Sequence, residues 1–471
     1  MKKTVIGLSV LLLTSACGSL DRQKATDFRA VYEKGEYCQA SAVSLGTSEY
    51  CQKDSQVTPD DMELLDTLNG GSALFAAKAF ANSDRLFAYS AKNIDEYEKA
   101  SMLEDGGRAA VDILANASLH GYSPYIMDGI YTGAYLILGN LALGDKAGAR
   151  IEVNRAYQKQ KEASEVFRSE IKEQSEAAAK ETQKLDKDNR KKAAKNEEEI
   201  IAKHYQDLKK WRAYKDFMNP YVTYLSGLYL LNNSSGAGDY ENASMYMKRT
   251  AGMVPKNRTV LEDLQLAESY AGNKAGDAKN RRHVWVVFEN GMVATLEALS
   301  LNIPVFLVSN ELSMIAFSVP KPKEGKIAYP SLGVSLGGQK QVKTELLADV
   351  DAMFISEFNK RFPVILSKAI AATTFKAIMQ YQIQKNDTNG VGSLIMAIYT
   401  IMTNQADLRS WQSLPKNVQV ARLEVKDSGK LKLFAKGKEI AKINIPKDKN
   451  SLVYVRIPEP GVKPSVAVME L

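Results

Sequence analysis

The sequence predicts an α+β protein in which an all-α helical-repeat region carrying a long charged helical hairpin precedes a C-terminal α+β domain. Three observations predict it. Residues 22–156 repeat their apolar side chains at period 3.6, the signature of amphipathic helices. Residues 158–200 interleave 11 basic and 11 acidic side chains with few apolar ones, as solvated helices do. From Arg281 the apolar period changes to two, as in Val284-Trp285-Val286-Val287-Phe288. The predicted boundaries are 1–16, 17–157, 158–216, 217–274 and 281–471.

The first segment reads as a secretory signal: Lys2-Lys3, an apolar run from Val5 to Leu13, then Thr14-Ser15-Ala16-Cys17. Its apolar run is shorter than the ~20 residues needed to span a bilayer. Leu13-Thr14-Ser15-Ala16-Cys17 resembles the lipobox of bacterial lipoproteins, which implies acylation of Cys17 and cleavage before it. Thr14 departs from the Leu usual at that place, and Thr14 with Ala16 also suits ordinary signal peptidase, which would leave a soluble chain with a free Cys17 thiol. One acyl chain binds membranes only marginally, so the three chains of a lipoprotein amount to a lasting anchor. Gly18, in place of Asp, implies sorting to the outer membrane. Everything after Cys17 is then expected in the periplasm or at the cell surface.

Processing would lower the formal charge from +7 to +5 with the loss of Lys2 and Lys3. That near-neutral balance, with export, argues against nucleic acid as a partner. At 45% apolar residues the chain can build two or three cores. No later stretch reads as a membrane span; the longest, Val391–Met402, is interrupted by Gly392 and Thr400 and is expected as a buried helix.

Cys38 and Cys51 each sit in a Glu-Tyr-Cys-Gln tetrapeptide, and an even pair in an oxidising compartment predicts a disulfide. On one continuous helix their sulfurs would be roughly 20 Å apart, so the chain must turn, at Gly46-Thr47-Ser48. Two small buried hydrophobes are the alternative.

Two stretches fit the 34-residue tetratricopeptide repeat. Gly71, Leu74, Ser83, Phe87 and Ser90 occupy its small and large positions in the first, and Gly144, Ala149, Val153 and Ala156 in the second. A third is clearer: Asn219 caps and Pro220 opens a helix bearing Tyr221, Tyr224, Leu225 and Leu228. After the Gly/Ser-rich Asn232–Gly238, the residues Asp239-Tyr240, Ala243, Met247, Thr250 and Pro255 match a second repeat helix. Between the second and third repeats the charged stretch predicts an antiparallel hairpin, with its tip at Asp186–Asn189, projecting from the repeat body.

In the C-terminal domain, Glu289-Asn290-Gly291 between apolar runs predicts a β-hairpin leading into a strand from Met292 toward Leu299. Strands are expected at Pro304–Val308 and Met314–Val319, helices at Thr344–Gln384 and Val391–Asn404. Final strands are expected at Val418–Val425, Lys430–Ala435, Ile440–Ile445 and Leu452–Ile457.

The lipobox, the repeat-like helices, Asn219-Pro220-Tyr221-Val222, Phe288-Glu289-Asn290-Gly291 and Ala406–Trp411 before Leu414-Pro415 together resemble an uncharacterised family of bacterial lipoproteins. That resemblance covers most of the chain and implies tetratricopeptide-like helices followed by an α+β domain. Members of that family are often encoded beside lipoproteins that activate peptidoglycan synthases, which implies a role in the cell envelope.

No catalytic or metal motif is complete, and no cofactor is expected. Gly333-Val334-Ser335-Leu336-Gly337 fits the G-x-S-x-G nucleophile elbow, but His120, His204 and His283 all precede Ser335, whereas the elbow's histidine follows its serine. A Gly-rich loop is expected there. Ser413–Lys416 and Ser169–Lys172 fit S-x-x-K without a Lys-Thr-Gly partner, and three isolated histidines make no metal site. Glu289 reads as a turn residue. Arg409 and Trp411 are candidate interaction residues, since both types anchor interfaces; a Trp before Pro and a strand also suits a core plug, with Arg409 pairing Asp407.

The expectation is a membrane-anchored periplasmic scaffold that binds an envelope protein. The alternatives are an enzyme acting on cell-wall or surface polymer and a subunit of an export or surface-assembly complex. Cells fed a radioactive fatty acid should label the wild-type chain and not Cys17→Ser. Equal absence of label in both would leave a chain without an anchor.

Overall fold

The computed structural model describes residues 23–102, 121–211, 214, 217–276, 281–308, 311–386, 406–426 and 430–471. The expected signal, Cys17, His120 and Val391–Asn404 lie outside them. The protein is α+β.

Its organising element is β1 (Arg282–Asn290), at the centre of a five-stranded sheet. The other strands are β6 (Glu345–Asp349), β7 (Asn417–Val425), β10 (Ser451–Ile457) and β11 (Ser465–Glu470), in the order β11-β10-β1-β7-β6. β1 runs parallel to β10 and antiparallel to β7. Its alternate side chains serve two cores. Trp285 and Val287 join the helical core, while Val284, Val286 and Phe288 face a second sheet. Burial on both faces is why β1 reads as an unbroken apolar run.

The second sheet has the order β5-β4-β8-β9: β4 (Gly333–Leu336), β5 (Val342–Lys343), β8 (Lys430–Ala435) and β9 (Lys438–Asn444). It closes the side of the main sheet away from the helices through Leu332, Val334, Leu431 and Leu433. The expected loop at Gly333–Gly337 is therefore strand β4 followed by a turn at Gly337 and Gly338. Ser335 pairs with Lys432 of β8.

Antiparallel helices cover the other side. After α1 (23–33) and α2 (Tyr37–Leu45) come α3 (Leu64–Ala76), α4 (Phe80–Met102), α5 (Ile126–Leu143) and α6 (Lys146–Gln183). Then follow α7 (Lys187–His204), α8 (Pro220–Asn232), α9 (Ala237–Met253) and α10 (Arg258–Ala271). Small residues let neighbours meet closely: the Phe87 ring of α4 lies over Gly71 of α3, and Tyr246 and Met247 of α9 lie over Gly227 of α8. Cys38 and Cys51 form a disulfide with Cα atoms 5.8 Å apart. Gly46, at φ 80°, ends α2 and turns the chain between them.

The charged stretch does not stand alone. α6 crosses residue 158 unbroken, turning Ala163, Val166, Phe167 and Glu170 inward. Asp186 caps α7, its carboxylate accepting from the backbone N–H of Asp188 and of Asn189. α7 then lies on a two-stranded ribbon, β2 (Thr295–Val308) and β3 (Glu311–Lys323), and on α11 (Val350–Asn386). Asn189 brackets Phe306, accepting from its N–H at 2.9 Å and donating to its C=O at 2.8 Å. Asn196 donates to the Pro304 carbonyl. Pro304, Pro320 and Pro322 fit because each ribbon strand keeps a free edge. The projecting hairpin of the sequence is thus one wall of a four-element arm.

Three further expectations are corrected. Asn290-Gly291 makes no hairpin: β1 already has a strand on each side, and β2 pairs with β3 instead. Asn290 is buried, accepting from the N–H groups of Ala328 and Tyr329 and donating to Tyr329 O and Asn417 Oδ1. The expected helix at Thr344 starts at Val350, because Glu345–Asp349 is the edge strand β6. Among the described residues two helices, α5 and α11, are long and apolar enough to cross a membrane, where none was expected; the most apolar window of α5 is 72% buried and that of α11 only 33%.

Gly291, at φ 72°, crosses the chain at Lys326, whose carbonyl a Cβ would strike. Gly291→Ala is expected to cost about 3 kcal/mol or more in denaturant unfolding. Gly338→Ala, at φ 82° in open space, should cost only about 1 kcal/mol. Equal costs would mean that the crossing tolerates a methyl group.

Candidate functional site

Among the described residues, buried polar groups gather into clusters, and three of them join several elements. The largest surrounds Glu289, the one acidic side chain of β1, which points into the helical layer because its register is odd like that of Trp285 and Val287. Its carboxylate accepts from the hydroxyls of Tyr454 at 2.8 Å, Tyr135 at 3.0 Å and Tyr131 at 3.5 Å. Burial raises its pKa, opposed by the Arg456 guanidinium and by the phenols. Arg456 of β10 is itself fully buried. It donates to the carbonyls of Glu289, Gly291 and Ser413 and lies over the Tyr32 ring. Glu289 is therefore no turn residue. At 0% exposure it meets neither solvent nor substrate, and it ties α5 to β1 and β10.

A second cluster sits at the root of the arm. Glu357 of α11 accepts from the N–H groups of Ile126 and Met127, capping α5 from another element, at 2.7 and 3.1 Å. Arg361, one turn on, places Nη2 2.7 Å from Glu357 and 2.7 Å from Glu170 of α6. One guanidinium thus faces two carboxylates in the interior. Burial pushes Glu170 up to about 7, Arg361 opposing and Glu357 and Glu98 adding to the rise. Burial also raises Asp128, which accepts from Tyr122 Oη and Tyr125 N, to about 7. A cavity of about 20 Å³ adjoins, lined by Met127, Ile130, Phe217, Asn219, Met353 and Glu357 among others. Ligand pockets start at roughly 300 Å³.

The third cluster is Asp263 of α10, which accepts from Tyr224 Oη at 2.5 Å, the Trp285 indole and Arg422 of β7. Burial raises its pKa against these partners. It fastens α8 and α10 to the sheet.

The residues singled out from sequence occupy different places. Trp411 is 2% exposed, with its indole N–H donating to Ser72 and Ser413 and its ring against Phe87, Tyr131 and Tyr135. It is a core plug and offers no surface to a partner. Arg409 pairs with Asp407 at 2.8 Å. Ser413 Oγ donates to Asn69, and Lys416 is 2.7 Å from Asp351, so S-x-x-K here makes no Ser–Lys dyad. Ser169 donates to the Ser101 carbonyl. His283 is buried beside Arg422, and burial holds its pKa down to about 4. Among the described residues no group of three or more His, Cys, Asp or Glu side chains could hold a metal ion.

Sequence reasoning missed Glu289, Glu357, Arg361 and Arg456. For Glu289 and Arg456 a signal existed: Glu289 directly follows the apolar run Val284–Phe288 and Arg456 is the lone charge of an otherwise apolar strand, a pattern that demands a buried partner. No family model, curated protein or solved structure matches the chain.

A raised carboxyl pKa means that the folded state holds a proton that the unfolded state releases. Its contribution is full below about pH 4.5 and lost as pH rises through 7. Between pH 5 and 8, wild-type stability should fall on the order of 2 kcal/mol more than that of Glu170→Gln, read from urea midpoints across that range. Parallel curves for the two proteins would show that Glu170 titrates normally.

Proposed function

We propose that this chain is a non-enzymatic, lipid-anchored periplasmic scaffold of the cell envelope, held to the outer membrane through Cys17 and binding another envelope protein. One observation carries the reading: the buried charges of these clusters join elements to one another, Glu289 and Asp263 fastening helices to the sheet and Glu357 with Arg361 fastening the arm to the helical body. A catalyst would present such groups to a cleft; here Glu289, Glu357, Arg361, Asp263 and Arg456 are each 5% exposed or less.

In this reading the pairs α3–α4, α5–α6 and α8–α9 are tetratricopeptide-like units. Their close contacts at Gly71 and Gly227 support it, and repeat arrays bind partners through extended surfaces. The signal-like N-terminus and the Cys38–Cys51 disulfide suit an exported chain. The resemblance to envelope lipoproteins makes a peptidoglycan-related complex the setting. The experiment is in-cell crosslinking followed by affinity capture of the processed chain. It should return the same envelope protein in independent preparations; recovery of nothing reproducible would remove the proposal.

A further inference from the structure

The far end of the arm differs in chemistry from the rest of the molecule. Two contacts define that end. Asn189, in the first turn of α7, holds Phe306, which faces Leu312 across the β2–β3 ribbon. Lys184, just beyond α6, lies 5.5 Å from the Phe375 ring of α11. The α6–α7 region therefore touches both the Phe306–Leu312 end of the ribbon and the Phe375 stretch of α11. The eleven residues from Lys376 to Asn386 continue beyond it, about 16 Å as helix.

Apolar side chains are exposed at this end. Leu312 and Met314, at 56% and 64%, are the two most exposed large hydrophobics among the described residues, and Met379 adds 36%. Phe375, Ile378, Met379 and Ile383 follow at i, i+3, i+4 and i+8, one stripe of α11. This is one of the two described helices apolar enough for a membrane, and only a third of its most apolar window is buried.

The charge of the arm is also segregated. The stretch 158–200 sums to zero, yet residues 180–195, at the far end, hold seven basic side chains against three acidic, and the rest of the stretch holds four against eight. Lys184, Lys187, Lys191 and Lys195 are all exposed and follow at helical spacing. Lys376 and Lys385 of α11 add to them.

Lysine around exposed Leu and Met, with half-buried Ile beside them, is the composition of elements that lie in a bilayer interface. Protein interfaces are depleted in lysine and draw on Trp, Tyr and Arg. We infer that the far end of the arm, formed by the α6–α7 turn, the end of the β2–β3 ribbon and the last turns of α11, binds the surface of a lipid bilayer carrying anionic headgroups. This contact is separate from any acyl chain on Cys17.

The test uses residues 17–471 with Cys17→Ser, so that neither leader nor acyl chain contributes, and vesicles of phosphatidylcholine with or without phosphatidylglycerol. The protein should sediment with the anionic vesicles and not the neutral ones, and salt should weaken the binding. Lys187→Gln, Lys191→Gln and Lys195→Gln together should weaken it about a hundredfold. Leu312→Ser with Met314→Ser should weaken it about tenfold or more. These side chains are exposed, so circular dichroism and melting should stay as in the parent. With anionic vesicles, Met314→Trp should add blue-shifted emission, and Ile151→Trp, 53% exposed on the body, should not. Failure to bind anionic vesicles at low salt, binding unchanged in both sets of variants, or no blue shift at position 314 would each overturn the inference. So would capture of a protein by this end without vesicle binding.

Discussion

Burying a carboxylate in the middle of the sheet is the constraint on which the rest of this structure depends. Glu289 sits on the helix-facing side of β1, where an unpaired charge would cost several kcal/mol. Its solution draws in distant parts of the chain: Tyr131 and Tyr135 from α5, Tyr454 and Arg456 from β10, and Tyr32 from α1. Each partner also does something else. Arg456 collects the carbonyls of Glu289, Gly291 and Ser413, so the chain leaving β1 and the chain entering β7 are held at one guanidinium. The parallel pairing of β1 with β10 places Glu289 directly opposite Arg456.

The arm follows from the same logic at a second place. Asp351, fully buried at the start of α11, accepts from the N–H groups of Ala294 and Gly325 and from Lys416. It thereby clamps the open end of the β2–β3 ribbon, where the chain enters β2 and leaves β3, to the helix running beside it. Two turns on, Glu357 and Arg361 join α11 to α5 and α6. The arm is joined to the body at its root through these charges, and its other end carries exposed lysines and exposed apolar groups. Structure inside and interaction outside are thus divided along one helix, α11.

Much of this was legible. β1, β7, β8, β9 and β10 lie within two residues of their expected bounds, because alternation and β-branched runs report a pleated, buried surface. Trp411 as a plug and the turn at Asp186 were also readable, from a Pro that ends the extended segment and from an Asp placed to cap. The Asn-Gly hairpin failed for a physical reason: the dipeptide says that the chain turns, but not which strand comes to lie beside β1. The charged stretch misled in a similar way, since a balanced composition hides the order of its charges, and a helix that looks solvated can still rest on a ribbon more than a hundred residues later in the chain.

By itself, the sequence determined the α+β class, most strands, the helix boundaries marked by Asn219, Pro220 and Asp186, and the even cysteine pair, because these depend on side chains close together along the chain. Only the tertiary structure decided that Glu289 is a buried hub, that α6 and α7 share an arm with α11 and the ribbon, and that lysines and exposed apolar groups meet at its end. Those facts depend on which distant segments meet, and meeting is settled by burying surface and satisfying every buried charge at once, which no local pattern records.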